Sequence, residues 1–233
     1  MNRALQRFKY IMFDILSAAL SYFLFYVFRK KYIESDTFGY DVPIEIGREF
    51  ILGIILIPLF WLVLHFLSGY YRQPLRKSRL QELGQTIFTT LFGVLILFFL
   101  MMLDDWVGNY RHYYVIFLAY FGIQFVTTYV PRLFITSVTS RRIHNRKLGF
   151  NTIMVGSDTN ALSLYNEIEN IEPSTGFKFI GFINTRENNN FLLKEYLPHL
   201  GDIKDIRQIV NENKVEQVVI ALETSENTTI KDI

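Results

Sequence analysis

The chain has 233 residues, of which 50% are hydrophobic, 16% aromatic and 20% charged. Apolar content this high beside so many charges indicates two kinds of segment, one embedded in a membrane and one exposed to water. The net charge of +2 argues against a nucleic-acid partner. There is no cysteine, which excludes disulfides, thiolate metal sites and cysteine nucleophiles.

Four apolar runs occupy the first part of the chain, at residues 10–28, 50–67, 87–103 and 113–130. At about 1.5 Å of rise per residue, each run is close to the roughly 30 Å thickness of a bilayer core. None of the runs shows the polar face of a helix that packs on a soluble core. Residues 1–148 are therefore predicted to form a transmembrane region of four helices.

Lysine and arginine near the span ends predict the orientation of these helices. One side collects eleven cations, and the other collects five, among them the contrary triplet at residues 29–31. This asymmetry predicts that the N-terminus and the segment after the fourth helix are cytoplasmic. The eleven cations are Arg3, Arg7, Lys9, Arg72, Arg76, Lys77, Arg79, Arg141, Arg142, Arg146 and Lys147, and the five are Arg29, Lys30, Lys31, Arg48 and Arg111. Trp106, Tyr110, Tyr113 and Tyr114 resemble an aromatic belt at the outer interface.

Polar side chains within membrane helices are candidates for function. Asp14 lies about one turn inside the first run, where pairing with Lys9 or contact with interfacial water is expected. His65 lies two residues before the end of the second run and is expected at the interface. Since no pair of these residues has the spacing of a metal site or proton relay, no metal ligand is predicted.

The loop after the second run has an aromatic pair, Tyr70 and Tyr71, followed by the cations at 72, 76, 77 and 79. Such a segment can lie on an anionic membrane surface. Two interpretations remain open. The cations are either ordinary cytoplasmic loop charges, or they attract a phosphate-bearing lipid head group.

A water-exposed pattern begins near residue 149. Short apolar strands are predicted at 150–156, 177–183 and 217–222, with a helix after the first strand and another capped by Asp202. Strands that alternate with helices in this way predict a parallel, doubly wound sheet. Residues 149–233 are therefore predicted to form an α/β Rossmann-like domain, which is expected to be truncated because residues 227–233 suggest the start of a further helix.

The turn after the first strand contains the candidate cofactor-binding residues Gly156, Ser157, Asp158 and Asn160. A dinucleotide loop needs several glycines, of which only the first is present here, and Asp158 places negative charge where a phosphate would bind. After the second strand, where an acidic ribose ligand is expected, the chain has Asn184, Thr185 and Arg186. These departures favour a structural or regulatory domain over a nucleotide-binding one.

Several motifs carry a resemblance to a known family. They are the turn from Gly69 to Arg72 with Ser78, Arg79 and Glu82, the pair Arg141 and Arg142, the glycines at 176 and 181 with their following phenylalanines, and Leu200-Gly201-Asp202 with Asp205. With the four spans and the strand at 215–221, they resemble the N-terminal half of bacterial polyprenyl-phosphate sugar-1-phosphate transferases. The second domain of that group is described as CoA-binding-like.

The resemblance implies a multi-pass protein of the bacterial inner membrane, with the bilayer, polyprenyl phosphate and a second copy of the chain as partners. In such transferases polyprenyl phosphate displaces UMP from a UDP-sugar with the help of Mg²⁺, and this chemistry belongs to a further catalytic domain. No cofactor is therefore expected in this chain, and the chain alone is expected to be inactive. Two alternatives remain: the corresponding part of a membrane-bound nucleotide-sugar dehydratase or epimerase, and a non-enzymatic membrane scaffold.

Overall fold

The structure, a computed structural model, describes residues 3–75, 77–102, 110–185 and 191–221. The chain divides into two compact units, Met1–Ser140 and Arg141–Ile233. Expectations about Arg76, the loop at 104–105 with Trp106, the turn at 186–190 and the segment 227–233 lie outside the described residues. The side chain of Tyr110 is likewise not described.

The first unit is built from long apolar helices. Four of its helical stretches are long and apolar enough to cross a membrane, at Arg3–Phe38, Arg48–Leu67, Arg79–Leu100 and Arg111–His144. This finding supports the four predicted spans, and the helices extend beyond the predicted runs at most ends. The helix bounds are α1 Arg3–Phe28, α2 Ser35–Phe38, α3 Arg48–Leu67, α4 Arg79–Leu97 and α5 Tyr110–His144. π-helical turns follow α1 at Arg29–Glu34 and α4 at Phe98–Met102.

The centre of the bundle is packed around one indole ring. Trp61 is fully buried, and its Nε1 donates a hydrogen bond of 3.0 Å to the Tyr120 hydroxyl. Gly93 makes room for this ring, since a Cβ atom there would lie 2.5 Å from the indole. Large apolar side chains on the outside of the helices, such as Phe88 and Phe134, are 74% and 70% exposed, as expected for a surface that faces lipid.

The second unit is a four-stranded parallel sheet with the strand order β3-β2-β1-β4. This order is that of one half of a Rossmann fold, which confirms the predicted fold class. The bounds are β1 Phe150–Val155, α6 Thr159–Asn170, β2 Phe177–Asn184, β3 His199–Asp202, α7 Ile206–Glu212 and β4 Gln217–Ile220, with short 3₁₀ turns at Leu192–Glu195 and Ile203–Asp205.

The strand β3 was not predicted from the sequence. Asp202, which was expected to cap a helix, is instead the last residue of this strand, and α7 begins only at Ile206. Gly181 makes room for β3, because a Cβ atom there would lie 2.5 Å from Leu200 Cγ. In β3 Leu200 is the one large apolar residue among four, so this segment lacks the apolar run that identified β4.

Candidate functional site

A buried ion pair joins the first and last helices of the bundle. Asp14 on α1 and Arg132 on α5 are 3% and 0% exposed. Arg132 donates from Nε to Asp14 Oδ1 at 2.8 Å and from Nη2 to Oδ2 at 2.7 Å. Such bidentate pairs are the strongest hydrogen-bonded contacts that arginine makes with a carboxylate. The expectation that Asp14 pairs with Lys9 or interfacial water was wrong, because α5 continues past residue 130 and brings Arg132 opposite Asp14.

A second buried carboxylate lies on α4. Glu82 is fully buried, and its Oε2 atom is 3.4 Å from Lys77 Nζ. Its Oε1 atom is 4.0 Å from Arg132 Nη1. Two carboxylates thus face two cations, so their formal charges cancel within the bundle. This balance is the usual condition for burying ionised groups away from water.

The loop between α3 and α4 is anchored to these charges through aromatic side chains. The ring of Tyr70 lies 3.7 Å from Arg132 Cζ and 4.3 Å from Lys77 Nζ, measured to the ring centroid. The Tyr71 hydroxyl donates to Asp14 Oδ2 at 2.6 Å. Burial raises the pKa of Tyr71, with the Asp14 carboxylate acting in the same direction, so the hydroxyl keeps its proton as a donor. The loop is therefore held by specific contacts to three helices.

His65 and Lys77 complete what we call the charge cluster, namely Asp14, His65, Lys77, Glu82 and Arg132. His65 is 1% exposed, and its Nδ1 atom is 3.7 Å from Asp14 Oδ2. The Tyr70 ring of the loop lies 5.2 Å from the His65 ring, measured between centroids. The expected position of His65 at the membrane interface stays a prediction. Burial lowers the pKa of Lys77 to about 8, although the nearby Glu82 carboxylate acts in the opposite direction.

The cluster contains polar atoms whose hydrogen bonding is incomplete. Among the described residues, Arg132 Nη1, Glu82 Oε1, Lys77 Nζ and His65 Nδ1 are buried without a hydrogen-bond partner. In the described part of the chain, no three histidine, aspartate or glutamate side chains converge to hold a metal ion. The geometry is that of a network that positions the described residues of the loop between α3 and α4 against the long helices.

The predicted cofactor-binding residues lie together at the carboxyl end of β1. Gly156 and Ser157 are buried, Asp158 is partly buried at the start of α6, and Asn160 is exposed on its first turn. Ser157 Oγ and Asn184 Oδ1, at the ends of β1 and β2, are 3.0 Å apart and hydrogen bonded. The backbone carbonyl of Ser157 accepts from the Leu192 amide at 3.2 Å. Two polar groups of the turn are thus used within the protein, and its role in binding stays a prediction.

Gly156 has a packing role that the sequence did not reveal. Its φ angle is +122°, and a Cβ atom at this position would lie 2.2 Å from the Ala221 carbonyl oxygen. The glycine therefore allows the ends of β1 and β4 to approach closely. This is the point where the strand order reverses and where ligands of such folds bind.

These features define a chain with four helices that are long and apolar enough to cross a membrane, followed by a half-Rossmann parallel sheet. A family model described as a CoA-binding domain matches residues 67–233, and the chain belongs to that family. The match begins at the end of α3, so it includes Lys77, Glu82 and Arg132 as well as the sheet, whereas Asp14 and His65 precede it. No curated protein matches the chain.

Proposed function

We propose that this chain is the membrane-anchoring and regulatory part of a polyprenyl-phosphate sugar-1-phosphate transferase that starts a bacterial surface polysaccharide. The family match supports this proposal, because it runs without a break from the anchored loop through two membrane helices into the parallel sheet. A soluble CoA-binding domain would have no need of membrane helices within the same family segment.

The charge cluster supports a role for the loop in lipid recognition. The contacts of Tyr70, Tyr71 and Lys77 fix the loop to the bundle, while Arg72 and Arg79 on the same stretch are exposed. Exposed cations at the end of membrane helices attract anionic head groups, at on the order of 1 kcal/mol for each cation. In this proposal they concentrate polyprenyl phosphate beside a catalytic domain that supplies the Mg²⁺ site.

The proposed location is the bacterial inner membrane, with the N-terminus and the sheet domain in the cytoplasm and a second copy of the chain as partner. The eleven-to-five excess of cations supports this orientation. A reporter enzyme that is active only in the cytoplasm should therefore be active when it is fused after Lys147, and one that is active only in the periplasm should be inactive there. Periplasmic activity of that fusion would contradict the orientation.

The function is tested by joining the chain to the catalytic domain of such a transferase whose own anchor has been removed. UMP release from UDP-sugar would be measured in membranes with polyprenyl phosphate and Mg²⁺. We expect release only from the fusion and not from the chain alone, and we expect the double substitution Arg72→Gln/Arg79→Gln to raise the KM for polyprenyl phosphate.

A fusion of the same catalytic domain to an unrelated four-helix anchor is the control. If both fusions have the same KM for the lipid, the chain is a passive anchor and the regulatory proposal fails. If the chain alone releases UMP, the assignment of transfer to a separate domain fails. Titration of the full chain in nanodiscs with coenzyme A, NAD⁺ and UDP-glucose tests whether the turn at Gly156 binds a nucleotide.

A further inference from the structure

The helices α1 and α5 lie side by side and run in opposite directions. Four side-chain contacts between them fix their register. The pairs are Gln6 and Thr139 at 2.9 Å, Tyr10 and Thr136 at 2.8 Å, Asp14 and Arg132 at 2.7 Å, and the rings of Phe25 and Tyr120 at 4.6 Å between centroids. From each contact to the next, α1 advances and α5 goes back by the same number of residues to within one. Residues between these contacts are therefore matched across the two helices by counting.

This register places Ser21 on α1 opposite Gln124 on α5. Ser21 lies four residues before Phe25, and Gln124 lies four residues after Tyr120, the ring that Phe25 contacts. Both polar residues are 0% exposed, so the bundle encloses their side chains. Two polar side chains therefore face each other about two helical turns away from the charge cluster.

Thr90 on α4 lies at the same level of the bundle. The charge cluster fixes this helix against α5, since Glu82 Oε1 is 4.0 Å from Arg132 Nη1. Thr90 follows Glu82 by eight residues, and Gln124 precedes Arg132 by eight residues. Eight residues correspond to about 12 Å along either helix. Thr90 is 1% exposed, so its side chain is also enclosed by the bundle.

A second contact supports this alignment of α4 with α5. A Cβ atom on Gly93 would lie 2.5 Å from the Trp61 ring, and that ring is hydrogen bonded to Tyr120. Gly93 lies three residues beyond Thr90, and Tyr120 lies four residues beyond Gln124 in the same direction along the bundle. Contacts on both sides therefore keep Thr90 and Gln124 at one level.

Each of the three side chains at this level has a polar atom without a partner. Ser21 Oγ, Thr90 Oγ1 and Gln124 Oε1 are buried and form no hydrogen bond with any described residue. The other amide atom of Gln124, Nε2, donates to Thr128 Oγ1 at 2.9 Å. A threonine one residue away, Thr127, instead donates its hydroxyl hydrogen to a carbonyl of its own helix. Because buried polar atoms are nearly always hydrogen bonded, these three atoms require a shared partner.

The surroundings of the three atoms favour a neutral partner. No aspartate, glutamate, lysine or arginine occurs at residues 15–28, 50–64, 83–97 or 113–131. The carboxylates of Asp14 and Glu82 lie about two turns away, where both already face Arg132. A metal ion or an anion at this level would therefore be an uncompensated buried charge, which is costly.

We propose that one ordered water molecule binds at this level and joins α1, α4 and α5. It accepts hydrogen bonds from the hydroxyls of Ser21 and Thr90 and donates one to Gln124 Oε1. About three hydrogen bonds are typical of a buried water molecule, and the two hydroxyls and the amide oxygen supply them. Lipid chains outside the bundle offer no hydrogen bonds. The water molecule therefore extends the polar network of the charge cluster about two turns further along the bundle.

Water-edited solid-state NMR of the full chain in lipid bilayers tests the proposal without any substitution. In this experiment ¹H polarisation passes from water to nearby ¹³C-labelled side chains. At short transfer times we expect signals from Thr90 and Gln124, and weaker signals or none from Thr127, whose hydroxyl is bound to the Ile123 carbonyl at 2.8 Å. Equal transfer to Thr90 and Thr127, or no transfer to Thr90, would overturn the proposal.

A shared water molecule also predicts coupling between residues of α1 and α4. Ser21→Ala and Thr90→Val should each raise the equilibrium constant of unfolding in mixed micelles about fivefold. The double variant should raise it about fivefold to tenfold rather than about twenty-five-fold, because the first substitution already releases the water molecule. A double effect equal to the product of the two single effects would mean that no molecule is shared and would refute the proposal.

Thr127→Val is the matched control, because the Thr127 hydroxyl bonds within α5. Combined with Ser21→Ala, it should give the product of the two single effects. Coupling as strong as that of Thr90→Val would contradict a specific water site. Replacing sodium chloride with choline chloride should leave the unfolding of the parent chain unchanged, whereas stabilisation by sodium would identify a cation in place of water.

Discussion

The membrane bundle and the sheet domain bury polar groups in opposite ways. The bundle buries ionised side chains completely, among them Asp14, Glu82 and Arg132, and balances them against one another. The polar residues buried in the described part of the sheet domain are neutral: Thr152, Ser157 and Asn184. The sheet has close approaches at Gly156 and Gly181, where a Cβ atom would lie 2.2 Å and 2.5 Å from the nearest neighbouring atom. Buried charge pairing is thus a feature of the bundle, and neutral pairing with close approach at glycines is a feature of the sheet.

The largest expected effect comes from removing the arginine of the charge cluster. Arg132→Met should lower the free energy of unfolding of the bundle by about 3–5 kcal/mol, because it leaves the buried Asp14 carboxylate without its cation and leaves Glu82 with Lys77 alone. Unfolding with sodium dodecyl sulfate in mixed micelles, followed through Trp61, would measure this. The control Arg142→Met, near the end of the same helix where the side chain is exposed, should change the free energy by less than about 0.5 kcal/mol.

A double substitution shows whether the loss comes from charge pairing. In Asp14→Leu/Arg132→Met both members of the pair are removed, so less buried charge is left uncompensated. We expect the loss of free energy of unfolding in the double variant to be smaller than the sum of the two single losses, by about 1–3 kcal/mol. Strict additivity would mean that the cluster contributes packing rather than pairing, and the contrast with the sheet domain would disappear.

Backbone fit in the sheet is tested by adding one methyl group. Gly156→Ala should destabilise β1 by about 3 kcal/mol, because the residue has a positive φ and its Cβ atom would meet the Ala221 carbonyl oxygen. Hydrogen exchange of the amides of residues 150–155, read by mass spectrometry, measures the local stability.

The same methyl group in the bundle gives the matched control. Gly84 on α4 has no atom within 4 Å of its would-be Cβ. Gly84→Ala should therefore stabilise its helix slightly, by about 0.5–1 kcal/mol, through helix propensity alone. If amide hydrogen exchange becomes faster to the same degree in Gly156→Ala and Gly84→Ala, glycine has no special role in the sheet.

Alkaline pH should reveal the buried lysine of the bundle. The pKa of Lys77 is about 8 in the folded chain and about 10.5 in the unfolded one. Below pH 8 the lysine is protonated in both states. Above pH 8 the folded state loses this proton first, so the unfolded state binds more protons and stability rises with pH.

Between pH 8 and 9 this difference should add about 1 kcal/mol to the free energy of unfolding of the bundle. The window ends about one pH unit below the ordinary tyrosine pKa of about 10, so few tyrosines ionise in the unfolded chain. Lys77→Met should flatten the profile over this range, whereas Lys9→Met, at an exposed position on α1, should leave the rise in place. If stability still rises with pH in Lys77→Met, the rise comes from another titratable group.

The architecture was predictable from the sequence because long apolar runs and alternating strands are local patterns. The charge cluster was not, because its members are far apart in the chain and come together only through packing. Arg132 lies just past the predicted fourth span, next to Pro131, and was left out of the charge count. The sequence nevertheless contains a pattern that indicates a buried polar site. Arg132, Thr136 and Thr139 recur at helical spacing and form a polar stripe along α5.

The sheet shows a similar limit of sequence reasoning. Gly156 was predicted as a candidate cofactor-binding residue in a turn that lacks the other glycines of a dinucleotide loop. The geometry shows that it also has a packing role against β4. Spacing alone cannot separate these two roles, because both require the absence of a Cβ atom. The partner of the close approach, Ala221, is 65 residues away in the chain.

The smallest effect should come from a neutral buried pair in the sheet domain. Ser157→Ala removes the hydrogen bond between Ser157 Oγ and Asn184 Oδ1 and should destabilise the ends of β1 and β2 by about 1 kcal/mol. Ser163→Ala, on the exposed face of α6, should have no measurable effect. Amide exchange across residues 150–157 and 177–184 would measure both. A loss near 4 kcal/mol, as large as that for Arg132, would remove the distinction between charged pairing in the bundle and neutral pairing in the sheet.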